Sequence, residues 1–407
     1  MPPFREFSLP ATAVGGTHVL LVGVDSYTHL PNEDGSTPGA NGTIHAPGLH
    51  RLSTSVPSIE RLANWFLAGA VGQPGFQSAQ HPLASLDILL SPGQFHENGK
   101  AAVSVREATF KNIRDAAHAW RERAHSSRQN RALFFFVGHG MEGNDHYLLP
   151  ADAFEDSNAP GENLIKLHAM ITRMGSCKAG VQMFFVDACR SRLGDDLQTT
   201  ENDGEDFCAP FLRAQPSNQD RHVPVYLAAA AKGMPAIGRS QQPTFFTEGL
   251  LDCLNHHGAE DNGGFGDFWV TVNSLRDALT ERMSRLSLLH GRALTCDFID
   301  KSYQPPSISL NLHRIPDAEC RVLAQVNVIP ETRLFDSHMR IEGGTVLLER
   351  SPSAIPPAAN EPKAWFAELP PGNYHVSARD PANVAKTLAS RAFEFRMPVD
   401  HCKLPIP

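Results

Sequence analysis

The chain has 407 residues, 41% of them apolar and 20% charged, which describes an ordinary globular protein long enough for two domains and excludes a disordered one. A net charge of −8 leaves no basic footprint for a nucleic-acid partner. No window approaches the roughly 18 consecutive apolar residues of a membrane span, and MPPFREFSLP lacks a signal-peptide pattern, so a cytoplasmic protein with no membrane partner is expected.

In chain order, His18 to Val24 is an apolar run that ends at Asp25 and reads as a central strand. Pro31 to Pro57, rich in Gly, Pro, Ser, Thr and Asn, reads as a long loop. Ile59, Leu62, Trp65 and Phe66 then recur at helical spacing over Ser58 to Ala70, with Ser58 as the expected N-cap. Leu86 to Leu90 reads as a second strand and Thr109 to Ala124 as an amphipathic helix. Leu133 to Val137 and Val181 to Val186 are too short for helices and rich in Phe and Val, so they read as strands buried on both faces of a parallel sheet. The first delivers His139 and the second Cys189, and a helix over Leu164 to Met174 provides the crossover that parallel neighbours need.

Leu193 to Arg221 is a polar loop carrying Asp195, Asp196, Glu201, Asp203, Glu205 and Asp206, and Val223 to Ala230 is a further buried strand. Trp269 to Val272 and Ser274 to Leu286 read as a last strand and helix. Beyond Pro305 the texture turns to short period-2 runs separated by turn signals such as Pro370-Pro371-Gly372-Asn373, the pattern of a small antiparallel β-sandwich.

In open α/β sheets ligands bind at the carboxyl ends of the strands, so His139 and Cys189 are expected to face one crevice. A thiol needs a base to become a thiolate near neutral pH, and imidazole suits that task. The seven cysteines form no C-x-x-C pair, and the 19 histidines include no H-E-x-x-H, so neither a metal nor a cofactor is expected. An esterase or nucleotide-binding reading lacks its G-x-S-x-G, Walker or G-x-G-x-x-G motif.

His139-Gly140 at one strand end and Ala188-Cys189 at the next, 50 residues on, resemble the signature of the caspase-like cysteine peptidases. Where animal caspases carry Gln-Ala-Cys, this chain has Asp187-Ala188-Cys189-Arg190-Ser191, which is more similar to the metacaspase and bacterial caspase-homologue branch. The opening Gly23-Val24-Asp25-Ser26-Tyr27 and the segment GRSQQPTFFTEGLLDCL add to a resemblance that spans residues 16 to 305.

The resemblance implies an α/β fold with a mostly parallel sheet flanked by helices over residues 1–310. The period-2 runs beyond it make 318–407 an expected accessory β-sandwich-like domain, whose Leu369-Pro370-Pro371-Gly372-Asn373-Tyr374 turn resembles those of immunoglobulin-like domains. The peptidase resemblance implies an endopeptidase with Cys189 as nucleophile, His139 as general base, and the backbone N–H groups of Gly140 and Cys189 as the oxyanion hole. Asp187 lies two residues before Cys189, on the same side of an extended strand, and such an acidic residue implies cleavage after Arg or Lys, the alternative being that it caps a loop or orients Arg190; Asp25 is a second pocket candidate, with a turn or N-cap role as its alternative. Arg213 and Arg221 would then match the enzyme's own preference and are candidate self-cleavage sites. The expected partners are protein or peptide substrates and an activating ligand or upstream sensor, as for a regulated effector in bacterial stress or defence. The alternative is a pseudo-protease that binds a peptide or small ligand in the same crevice.

Overall fold

The computed structural model describes residues 2–32, 49–156, 161–190, 225–228, 239–263, 266–300, 311–352 and 363–407. Most of Pro31 to Pro57, the acidic run, Arg213 and Arg221 lie outside the described residues. The chain divides into two compact units, Met1–Glu248 with Leu294–Ser309, and Gly249–Ala293 with Leu310–Pro407.

The first unit contains β1 (Thr17–Val24), β2 (Leu83–Ser91), β3 (Arg131–Gly138), the hairpin strands β4 (Gly140–Glu142) and β5 (His146–Leu148), then β6 (Val181–Ala188), β7 (Val225–Ala228) and β8 (Asp297–Asp300). Apart from the hairpin strands these join one eight-stranded sheet, in the order Arg5–Glu6, β2, β1, β3, β6, β7, β8, with Arg106–Glu107 beside β2. Pairing is parallel from β2 through β7 and antiparallel for Arg5–Glu6 and for β8. The sheet is thus mixed, and its parallel centre has the double burial that the apolar runs demanded.

Alternation along the strands divides the core between two helical layers. Leu20, Val22, Phe134, Phe136, Phe184 and Val186 pack on one face with Ile113, Ala117 and Trp120 of α2 (Phe110–His125) and Met170 of α3 (Leu167–Met174). On the other face Phe135 stacks on Phe185, ring centroids 4.4 Å apart, and Phe66 of α1 (Ser55–Ala70) meets Phe135 edge-on at 5.9 Å. Each such fully buried aromatic contributes about 1.5–3 kcal/mol, enough to hold the strand ends in fixed register.

Ser58 is not the N-cap of α1. The helix starts at Ser55 with Thr54 in the cap position, and Ser58 lies one turn inside, its Oγ donating to Thr54 O at 2.7 Å. The first amides are satisfied from elsewhere: Ser55 N–H and Val56 N–H donate to Asp25 at 2.7 and 3.0 Å. A cap 30 residues away along the chain leaves no local sequence signal.

The second unit holds α5 (Val272–His290), which opens on a Thr271/Ser274 capping box and closes on Gly291 at φ 60°. The strand expected at Trp269 to Val272 is Phe268–Val270, and it pairs with Ala259–Asp261 and His313–Arg314 rather than joining the large sheet. The last strand of that sheet is β8, whose short segment no periodicity announced. Further on, Trp365–Leu369, Val322–Ile329 and Val399–Pro405 form one small sheet, and Val346–Arg350, His338–Gly343, Gly372–Asp380 and Asn383–Phe395 another. Both contribute to one core through Val322, Val326, Ile341, Val376, Phe395 and Leu404. The arrangement is not wholly antiparallel as expected, because the unforeseen last strand runs parallel to Val322–Ile329.

Candidate active site

The register of two adjacent strands places the expected residues. β6 pairs with β3 along its length, ending Asp187 opposite Val137 and Ala188 opposite Gly138, so Cys189 and His139 are each the next residue on neighbouring parallel strands about 4.8 Å apart. Gly23 of β1 pairs with Val137 as well, which brings Asp25 to the same end of the sheet. Continuing the alternation of Phe135 and Phe185, positions 139, 187 and 189 fall on the α1 face.

His139 is buried, and hydrogen bonds hold both its backbone N–H and its ring. Its backbone N–H donates to Tyr27 Oη at 2.7 Å, and its Nε2 lies 2.6 Å from His50 O. A carbonyl only accepts, so Nε2 carries the hydrogen and Nδ1 keeps its lone pair. Burial pushes the imidazole pKa down to about 4, against the small upward pull of the His50 hydrogen bond. The ring is therefore neutral near pH 7, in the state that accepts a proton.

Gly140 opens the β4–β5 hairpin. Leu149 N–H donates to His139 O at 3.1 Å while Gly140 pairs with Leu148, so Gly140 occupies a non-hydrogen-bonded position and its N–H turns away from β5. A Cβ on Gly140 would stand 2.6 Å from Cys189 O, 2.8 Å from His146 Nε2 and 2.9 Å from Ala188 Cβ. Glycine is thus needed because the hairpin lies directly against the main chain that carries Cys189.

Asp187 is 4% exposed, and its Oδ2 accepts the hydroxyls of Thr244 and, at 3.2 Å, Thr247, the residues that open α4 (Phe245–Asp252). Its Oδ1 is buried with no hydrogen-bond partner, and burial raises the carboxyl pKa to about 6. Asp187 does not pair with Arg190, whose buried guanidinium donates instead to Glu142 Oε2 at 3.0 Å and Asp297 Oδ2 at 2.7 Å. Asp25 is buried too, both oxygens serving α1, and burial raises its pKa.

Sequence reasoning missed the polar residues around Cys189. His146 is fully buried with Nε2 3.2 Å from Cys189 O, and Asp145 beside it accepts His168 N–H at 2.7 Å and Ala169 N–H at 3.1 Å. The turn residues Gly143, Asn144 and Asp145 were the one available signal that a hairpin would fold back here. Among the described residues no cluster of His, Cys, Asp or Glu could hold a metal ion.

A histidine and a cysteine at neighbouring strand ends of a parallel sheet, the imidazole neutral and the hairpin glycine pressed against the thiol-bearing chain, make the framework of a caspase-type cysteine peptidase. The caspase-domain family model matches residues 78–314, more than half of the chain, and the chain belongs to that family of cysteine peptidases. It is 28% identical over 232 residues to an uncharacterized protein, y4kE, of Sinorhizobium fredii, an alignment that covers 54% of this chain. It spans 65% of that relative's length, just under two thirds. Among the described residues no helix is long and apolar enough to cross a membrane.

Proposed function

We propose that the protein is a caspase-like endopeptidase in which Cys189 is the nucleophile and His139 the general base. The observation that carries this reading is the β3–β6 register, which makes the two residues neighbours one step past Gly138 and Ala188. With Nε2 engaged by His50 O, Nδ1 takes the thiol proton. The thiolate attacks the substrate carbonyl carbon, and the oxyanion is held by the N–H groups of Gly140 and Cys189, each such donor being worth roughly 10²–10³ in turnover. The imidazolium then protonates the leaving amine, and water hydrolyses the thioester by the reverse sequence.

Cleavage after Arg or Lys belongs to the same proposal. Asp187 supports it, because a buried carboxylate oxygen without a partner is stabilised by a cation that reaches it, and a guanidinium does so with two hydrogen bonds. Asp25 adds negative potential at the same sheet end while its oxygens serve α1. Residues 1–310 are the peptidase and 318–407 an accessory immunoglobulin-like domain that receives an activating ligand or sensor, as in a cytoplasmic effector of bacterial stress or defence signalling. Self-cleavage at Arg213 or Arg221 would be part of that regulation.

A peptide-library cleavage profile of the wild type, with Cys189→Ala and His139→Ala as controls, tests the reading. Cleavage after Arg or Lys, abolished in both variants with thermal unfolding unchanged, is expected. Near-normal turnover in either variant would falsify the dyad. Peptide binding without cleavage by the wild type would instead favour the pseudo-protease.

A further inference from the structure

Burial of a second histidine beside the thiol-bearing residue asks for a role that the dyad leaves unfilled. His146 has no exposed surface, and its Nε2 and the Cys189 carbonyl meet over Gly140, the one position there without a Cβ. Since a carbonyl only accepts, His146 is the donor, and its ring is fixed as the Nε2–H tautomer. The hairpin that carries it is anchored in turn. Asp145 accepts His146 N–H at 2.7 Å and also ties down His168 and Ala169 at the start of α3. On the other side of the same peptide, Arg190 is clamped by Glu142 of β4 and Asp297 of β8. The peptide that follows Cys189 is therefore gripped at its carbonyl by one buried donor and at the next side chain by two carboxylates.

We propose that His146 is a positioning residue that holds the Cys189 carbonyl, and through it the backbone torsions of Cys189, so that thiol and N–H present one geometry to the substrate. This rests on Cys189 being the nucleophile. His146 touches neither the substrate nor the transferred proton. Its donor acts on the far side of the residue from the N–H that would bind the oxyanion, while the β3–β6 pairing that ends at Ala188 holds the chain on the N–H side. Misplacement of a reacting group by about 1 Å costs on the order of 10²-fold in rate, which sets the scale of the effect.

The test is a set of full-length variants read by peptidase kinetics, iodoacetamide labelling of Cys189 and thermal unfolding. His146→Met fills the site without a donor and should lower kcat about tenfold to a hundredfold, with KM within about twofold and the labelling rate nearly unchanged. His146→Gln, whose amide reaches the Nε2 position, should restore most of kcat. Should the methionine variant fail to fold, His146→Asn decides against His146→Gln: both are polar, but asparagine falls one methylene short and should stay impaired. Equal kcat in the asparagine and glutamine variants, or wild-type kcat in folded His146→Met, overturns the proposal. A parallel collapse of labelling overturns it too, because His146 would then act on thiol ionisation. Failure of the underlying reading looks different, as Cys189→Ala would keep its turnover.

Discussion

Lowering the pH from 7 to 5 should destabilise the first unit by several kilocalories per mole while sparing the second. His18, His139 and His146 are each lowered to about 4, with burial the leading cause and, for His18 and His146, the charges of Arg123 and Arg190 adding to it. In the unfolded chain each returns to about 6.5. Below that pH the unfolded state takes up protons that the folded state refuses, so stability falls as the pH drops towards 4. The loss between pH 7 and 5 is about 2 kcal/mol for each group, hence about 6 for the three. Asp187 opposes them: its folded pKa of about 6 lies above the unfolded 3.8, and protonation relieves its burial by about 1 kcal/mol over the same range. Over these four groups the net loss is about 4–5 kcal/mol, a large part of a typical stability of about 5–15 kcal/mol. Hydrogen exchange at the two pH values, corrected for intrinsic rates, should show β1, β3 and β6 losing protection before the strands of the second unit. His18→Asn keeps a polar partner for Ser85, 2.9 Å from the His18 ring, but does not titrate, and should shrink the loss by about 2 kcal/mol. Equal or greater protection of the first unit at pH 5 would refute the reasoning.

Gly140→Ala should destabilise by about 1–3 kcal/mol, because the new Cβ meets main chain rather than a flexible side-chain end, and should lower peptidase turnover further than stability alone explains. Denaturant midpoints and turnover both at wild-type levels would contradict it. Tyr27→Phe removes the oxygen that accepts His139 N–H and leaves a buried donor unpaired, a cost of about 1–3 kcal/mol readable in chemical unfolding. In the second unit His257 is held at about 9: burial alone would lower it, but Asp252 and Glu368, each 3.5 Å from Nε2, outweigh that. Its contribution is complete below pH 6.5 and lost as the pH rises through 9, so exchange protection of Val322–Ile329 should weaken over that window in the wild type and stay flat in His257→Gln.

The sequence by itself determined the large sheet's central strands, the helices α1, α2 and α5, and the two strand ends at which His139 and Cys189 stand. These are local facts, since double burial writes an uninterrupted apolar run and an amphipathic helix writes a 3.6-residue period. The motif His-Gly with Ala-Cys 50 residues on likewise needed no coordinates to point to the family. Only the tertiary structure decided what surrounds those residues. Asp25 caps a helix 30 residues away, Thr244 and Thr247 reach Asp187 from nearly 60 residues on, and His146 comes to Cys189 through a hairpin. The short strand β8 belongs with these, paired to β7 although no periodicity marks it. Each depends on pairing between distant segments, and a hydrogen bond between residues far apart in the chain leaves no period and no spacing to read.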